Sequence, residues 1–188
     1  MLYIMLNNMK TYLINLISGP GSGKTTLAAL IFAKLKLEGF VCEYVQEFAK
    51  TLVWTKDFDT LNNQYYVSKK QADLFEQMVG HVNFIITDGP ILNGLYYNRH
   101  NKDNTSNIEK TESLIVGSYN KFNNINIFLE RGEFKYEQHG RIQTEDESKE
   151  IDTILKHMLK GFGIKYRCFL SSPNSVDSIV EHILEIVE

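Results

Sequence analysis

The chain has 188 residues, 43% hydrophobic and 23% charged, with a net charge of −3, which is the length of one ordinary domain and the composition of a globular one. Its three prolines exclude a collagen-like or proline-rich chain. No run reaches the ~18 apolar residues that a membrane-spanning helix needs, so no membrane partner is expected. The slight acidic balance gives no support to a protein that coats nucleic acid, although a narrow basic cleft stays compatible with it. Residues 1–188 are read as a single domain. The opening stretch MLYIMLNNMK is too short and too Asn-rich for a secretory signal. Methionines at positions 1, 5 and 9 place the start of the ordered domain near Met9, with residues 1–8 a short extension. Cys42 and Cys168 fall in apolar, strand-like runs, which reads as two reduced core thiols in a cytoplasmic protein. Sixteen lysines stand against four arginines, so two arginines in one short segment carry information.

In chain order, Tyr12–Ile17 (YLINLI) reads as a buried strand. Thr25–Glu38 has helical spacing at Leu27, Leu30, Ile31 and Leu35 and ends at Gly39, a C′ glycine. Val41–Val45 is a second strand, followed by a long helical stretch from about Asp59 to Val79. Val82–Thr87 is a third strand. Ser106 and Glu109 have capping-box spacing at the start of a helix running toward Tyr119. Ile125–Leu129 is a fourth strand. Thr144 and Glu147 form another capping box, before Ile151, Ile154, Leu155, Met158 and Leu159 on one helical face. Lys165–Leu170 makes a fifth strand, and Val176, Ile179, Val180, Ile183 and Val187 stripe a last helix. Strands separated by helices predict an α/β fold: a parallel five-stranded sheet with helices on both faces. A ligand then belongs beyond the carboxyl ends of the strands, at a switch point.

The first strand runs into Ser18-Gly19-Pro20-Gly21-Ser22-Gly23-Lys24-Thr25 and then an amphipathic helix, the setting that a P-loop requires. Glycines at 19, 21 and 23 let backbone N–H groups curl around phosphate oxygens, aided by the helix N-terminus. Gly19, Gly21, Ser22, Gly23, Lys24, Thr25 and Thr26 are the expected ATP-binding residues. Lys24 would reach the β- and γ-phosphates, and the Thr25 hydroxyl would bind Mg²⁺. The usual first glycine of the motif is Ser18 here, a small residue at the end of a strand.

Two carboxylates accompany the loop. Asp88 closes an apolar strand (FIITD), the placement of an aspartate that holds Mg²⁺ through water; helix capping before Gly89-Pro90 is its plain alternative role. Glu47 follows the second strand and should reach the same sheet edge, where it would accept the proton of an attacking hydroxyl; otherwise it is a helix-start glutamate. Residues 131–144 hold Arg131 and Arg141, next to Gly132 and Gly140 respectively, in a polar segment without an apolar face. That is expected to be a mobile lid whose cations neutralise a transferring phosphoryl group. Between the second strand and the following helices, Tyr44, Glu47, Tyr65 and Gln71 are the candidate substrate-binding residues, with Trp54 and Tyr66 nearby: aromatics stack a base and an amide bonds its edge.

The stretches ISGPGSGKTTLA, VQEFAKTLVW, NQYYVSKKQ, IITDGPILNGLYY and YEQHGRIQTEDESKEID cover most of the chain. In that order they resemble the ribosylnicotinamide-kinase-like (NadR/Ttd14-type) group of P-loop kinases, in particular its small phage-borne members. The resemblance implies a five-stranded kinase-type parallel sheet and Mg-ATP chemistry. The residues read above give Lys24, Glu47, Asp88, Arg131 and Arg141 as the expected catalytic set and Thr25 and Asp88 as the expected metal ligands. The resemblance does not fix the acceptor; the leading reading is a small-molecule nucleoside or nucleotide. A hydroxymethylated base in phage DNA, or a nucleotide-dependent switch without transfer, remain alternatives. The Lys- and Asn-rich, Arg-poor composition fits an AT-rich genome such as a phage's, whose product would act in the host cytoplasm.

Overall fold

A computed structural model describes residues 9–187 of the chain; the expected short extension over residues 1–8 lies outside them. Five strands, β1 (Tyr12–Ile17), β2 (Cys42–Val45), β3 (Phe84–Thr87), β4 (Asn123–Glu130) and β5 (Arg167–Leu170), form one sheet in the order β2-β3-β1-β4-β5. Every pairing is parallel, as the strand–helix alternation predicts. Because side chains alternate along a strand, β1 feeds both faces. Ile14 and Leu16 join the core with α1 (Lys24–Leu37) and α8 (Val176–Val187). Leu13 and Ile17 join the core on the other face. That second core includes residues of α4 (Gln64–Glu76), α5 (Asn93–His100), α6 (Ile108–Tyr119) and α7 (Glu145–Gly161).

Strand order reverses about β1, so the switch point, where such sheets bind ligands, lies at its carboxyl end. Register then decides which residues meet there. Val45 of β2 pairs with Thr87 of β3, and Thr87 pairs with Asn15 of β1. Glu47 and Asp88, just beyond, therefore leave the sheet beside the loop that follows β1.

Several local expectations change. The predicted helix over 59–79 is broken into the short α3 (Phe58–Leu61) and α4, and a helix that was not predicted, α2 (Phe48–Thr55), precedes both. Asp57 caps α3 by accepting from Thr60 N–H, and Asn63 caps α4 by accepting from Tyr66 N–H. These two caps cut a continuous apolar pattern into separate helices. At α6 the cap is Asn107, which accepts from Lys110 N–H; the Ser106 hydroxyl instead donates to Asn104 Oδ1 at 2.8 Å. The shift follows from Asn being as good a cap as Ser. Cys42 is buried, its thiol pushed up to about 11 by burial. Cys168 is exposed, because β5 is an edge strand with one neighbour. No helix among the described residues is long and apolar enough to cross a membrane.

The capping box at Thr144 and Glu147 is present in full: Thr144 Oγ1 accepts from Glu147 N–H at 3.3 Å, and Glu147 Oε2 accepts from Thr144 N–H at 2.7 Å. Thr144→Ala should lower stability by about 1 kcal/mol, read as a lower urea midpoint with an unchanged m-value. An unchanged midpoint would mean that α7 is set by packing alone.

Candidate phosphate-binding site at the carboxyl edge of the sheet

The loop after β1 is shaped by two left-handed glycines, Gly21 at φ 72° and Gly23 at φ 90°, a region that residues with a side chain rarely adopt. Gly23 is also the N-cap of α1, which has no side-chain cap and no acidic residue in its first turn. Its free N–H groups and positive dipole end are thus turned to an anion rather than to the chain's own carboxylates. The loop is braced from within and below. Ser18 Oγ and Ser22 Oγ lie 2.5 Å apart, and the Ser171 hydroxyl beyond β5 donates to the Ser22 carbonyl. The serine in place of the usual first glycine is therefore a buried cross-brace.

Lys24 is 8% exposed, and its ammonium donates to the Ser18 carbonyl at 2.9 Å and the Gly19 carbonyl at 2.8 Å. Burial pulls its pKa down; the carboxylates of Glu47, Asp88 and Asp152 act against that, and Arg131 adds to it. Asp88 is 2% exposed. Its Oδ2 accepts from the Thr25 hydroxyl at 2.5 Å and its Oδ1 from the Glu47 N–H at 3.1 Å. It does not cap α5, whose N-cap is Leu92. Gly89 makes this approach feasible, since a Cβ there would stand 2.5 Å from Glu47 Cα. Burial pushes the Glu47 carboxyl above its ordinary value; Asp88 raises it further, while Lys24 opposes both, as do Lys50 and Arg141 more weakly. Tyr44 is half-buried, its hydroxyl without a hydrogen-bond partner, and burial together with Asp88 pushes its pKa up. Tyr97 of α5, not singled out in the sequence, is likewise pushed up by burial and by the Glu47 carboxylate. Only a reading of which face α5 turns to the sheet edge would have found it.

Thr26 is exposed on the first turn of α1. Gln71 is not a free substrate ligand: its Oε1 accepts from Phe48 N–H at 2.8 Å and its Nε2 donates to the Gln46 carbonyl at 3.3 Å. It fixes the turn that carries Glu47 instead. Tyr65 lies under the Lys110 ammonium, 5.0 Å from its ring, on the side of α4 that meets α6, and nothing joins it to the Glu47 group. Trp54 and Tyr66 are exposed, with Phe48 edge-on to Tyr66 at 6.3 Å.

The segment 131–144 also differs from the expected polar lid. Two aromatic rings lie on the phosphate loop: a Cβ at Gly23 would stand 2.3 Å from Phe134, and one at Gly21 2.3 Å from Tyr136. Its far end reaches α2, where Trp54 and His139 have ring centroids 5.3 Å apart and a Cβ at Gly140 would meet Trp54 at 2.7 Å. These contacts supply the buried surface that the polar composition concealed. Arg141 stacks on Tyr136, 5.6 Å from its ring, and donates to the Glu137 carbonyl. Arg131 is not a free lid cation, because its guanidinium is bonded to Asp152, the Pro20 carbonyl and the Ser148 carbonyl.

Strand, glycine loop, buried lysine, helix and adjacent aspartate define a P-loop nucleoside-triphosphatase fold. The chain belongs to the AAA_28 family, an AAA domain, matched over residues 13–172. Among solved structures, the Mycobacterium tuberculosis APS kinase CysC in complex with AMPPNP and APS is similar at 11% identity. The likeness covers 96% of this chain and 98% of that one, with a TM-score of 0.49. A cysteine-to-alanine mutant of the same kinase is similar at 11% identity, over 96% and 97%, with a TM-score of 0.47. No curated protein matches the chain.

The Glu47 shift has a consequence for stability. A carboxyl held above its ordinary 4.5 binds more protons folded than unfolded, so stability is fully present below that pH and falls as pH rises through the folded value. Without nucleotide or divalent cation, Glu47→Gln should match wild type in urea midpoint near pH 4 and exceed it at pH 8. A midpoint difference that is the same at both pH values would contradict the raised carboxyl.

Proposed function

We propose that the protein is an ATP-dependent phosphotransferase that moves the γ-phosphoryl group to a hydroxyl of a small nucleoside or nucleotide. The observation that carries this reading is the pairing of two buried or half-buried carboxylates with different surroundings at one sheet edge. Asp88 is tied to the Thr25 hydroxyl, whereas the Glu47 carboxyl is held above its ordinary value beside the Lys24 ammonium. A simple nucleotide-binding module needs the first carboxylate but has no use for the second.

Each residue then has a task. The N–H groups of Gly21 to Thr26, with the N-terminus of α1, cradle the phosphates, while the Gly19 N–H is held by Asp152, and Lys24 leaves its loop carbonyls for the β/γ-phosphate oxygens. The Thr25 hydroxyl and the Asp88 carboxylate, an all-oxygen pair 2.5 Å apart, fit Mg²⁺, which takes one or two protein oxygens alongside phosphates and water. Held there, Mg²⁺ would supply neutralisation of the charge on the transferring phosphoryl group. Glu47 accepts the proton of the acceptor hydroxyl as its oxygen bonds to the γ-phosphorus. The bridging P–O bond breaks and ADP leaves with the electron pair. The raised carboxyl brings this base closer to a working pH. Arg141, near enough to favour the charged form of Glu47, is the candidate cation for the transferring group. Tyr44, against Asp88, and the exposed rings of Trp54 and Tyr66 suit an acceptor carrying an aromatic base. The EFAK, TDGP and GRIQTE stretches, which resemble the ribosylnicotinamide-kinase-like group, and the phage-like composition support the same reading.

Incubation with γ-labelled ATP and a panel of nucleosides, nucleotides and hydroxymethylated DNA tests this directly. Label should appear on a free nucleoside or nucleotide. Label on DNA would move the acceptor to a polymer, and label in free phosphate alone would leave a hydrolase. On the acceptor found, Lys24→Ala should lower turnover by roughly 10²–10³ through loss of a transition-state charge contact. Glu47→Gln should lower kcat by roughly 10²–10⁴ with ATP affinity nearly intact. Equal kcat for Glu47→Gln and wild type would remove Glu47 from the reaction.

A further inference from the structure

One charged group beside the phosphate loop has no part in that reaction. Asp152, in the second turn of α7, spends both oxygens on the chain: Oδ1 accepts from the Gly19 N–H at 2.5 Å and Oδ2 from Arg131 Nε at 2.6 Å. The pair is largely buried, with Arg131 and Asp152 side chains 20% and 16% exposed. Arg131 Nη2 completes the contact by donating to the Pro20 and Ser148 carbonyls, each at 3.0 Å. No side chain separates the loop from α7, since a Cβ at Gly19 would stand 2.5 Å from the Ser148 carbonyl oxygen.

This geometry ties three segments that are distant in sequence. Gly19 opens the phosphate loop, Arg131 is the first residue after β4 and the first of the lid, and Asp152 belongs to the helix that begins where the lid ends. A loop with glycines at 19, 21 and 23 has much conformational freedom to lose when it closes on an anion. A contact that orders it beforehand removes that cost from binding. Asp152 is placed to do so without touching the anion, as a neutral or misplaced brace would not: charge-assisted bonds of this length are the stronger kind.

We propose that Asp152 is a positioning residue for nucleotide phosphates: by holding the Gly19 N–H and the Arg131 guanidinium together, it fixes the phosphate loop and both ends of the lid as one unit. The proposal rests on nucleotide binding at the P-loop and not on the identity of the acceptor. Arg131 thereby acts through the loop backbone rather than as a cation on the transferring phosphoryl group.

The test is the affinity of a nonhydrolysable ATP analogue with Mg²⁺, by calorimetry at 25 °C, for wild type, Asp152→Asn, Arg131→Gln and the double variant, with the thermal unfolding midpoint of each. Each single change should weaken binding by about tenfold, the scale of one charge-assisted hydrogen bond. The double variant should lose no more than either single one, because both break the same brace. It also removes both charges, so it leaves no lone buried ion to unfold the protein. Lower midpoints with affinity within twofold of wild type would overturn the proposal and make the pair purely structural. So would losses that multiply in the double variant. Failure of the kinase reading looks different: analogue binding persists and no acceptor is labelled.

Discussion

A buried ammonium at the end of a parallel sheet is the constraint on which the rest of this structure turns. Lys24 is 8% exposed and has two backbone carbonyls for partners. A charge so placed is costly unless fully hydrogen-bonded and opposed by other charge. The register of β1, β2 and β3 meets that demand by delivering Glu47 and Asp88 to the same edge, and α7 adds Asp152 from the other side. Two of the carboxylates that make the lysine tolerable, Asp88 and Glu47, are also the ones proposed for metal binding and proton transfer.

The same packing links the phosphate loop to the 131–144 segment and α7, and that segment to α2. Through Arg131 and Asp152 the loop is joined to the lid and α7. Phe134 and Tyr136 lie on Gly23 and Gly21, while Trp54 on α2 receives Gly140. A Cβ at Gly21 or Gly23 would collide with those rings as well as strain the backbone, so the glycines serve the lid contact and the loop turn together. Glu47, at the N-cap of α2 and packed on Gly89, is half-buried, and desolvation there is the leading cause of its raised carboxyl.

What the sequence made legible was what it encodes locally. The Ser18–Thr25 loop is contiguous, the capping box at Thr144 and Glu147 spans four residues, and the alternation of strands and helices predicts the parallel sheet. Asp88 and Glu47 were legible because a polar residue ending an apolar strand must emerge at the sheet edge. The remainder depends on partners distant in sequence. Arg131 reads as a lid cation until Asp152 and the Ser148 carbonyl are seen beside it. Gln71 reads as a base ligand until the backbone of residues 46 and 48 takes both ends of its amide. The lid reads as polar because Phe134 and Tyr136 are isolated among charged residues, and only the fold lays them on glycines. Cys168 reads as core because its neighbours are apolar, whereas exposure follows from β5 having no neighbour on its outer side. The stretch over 59–79 reads as one helix because the cap Asn63 interrupts the apolar pattern only briefly.

The most direct test of this account is a crystal structure with Mg²⁺ and a nonhydrolysable ATP analogue. It should find Lys24 Nζ moved from the Ser18 and Gly19 carbonyls to the β- and γ-phosphate oxygens, the metal on the Thr25 hydroxyl side beside Asp88, and the Glu47 carboxylate facing the γ-phosphate. A triphosphate bound away from residues 18–25, or Lys24 still held on the two carbonyls with nucleotide present, would contradict it.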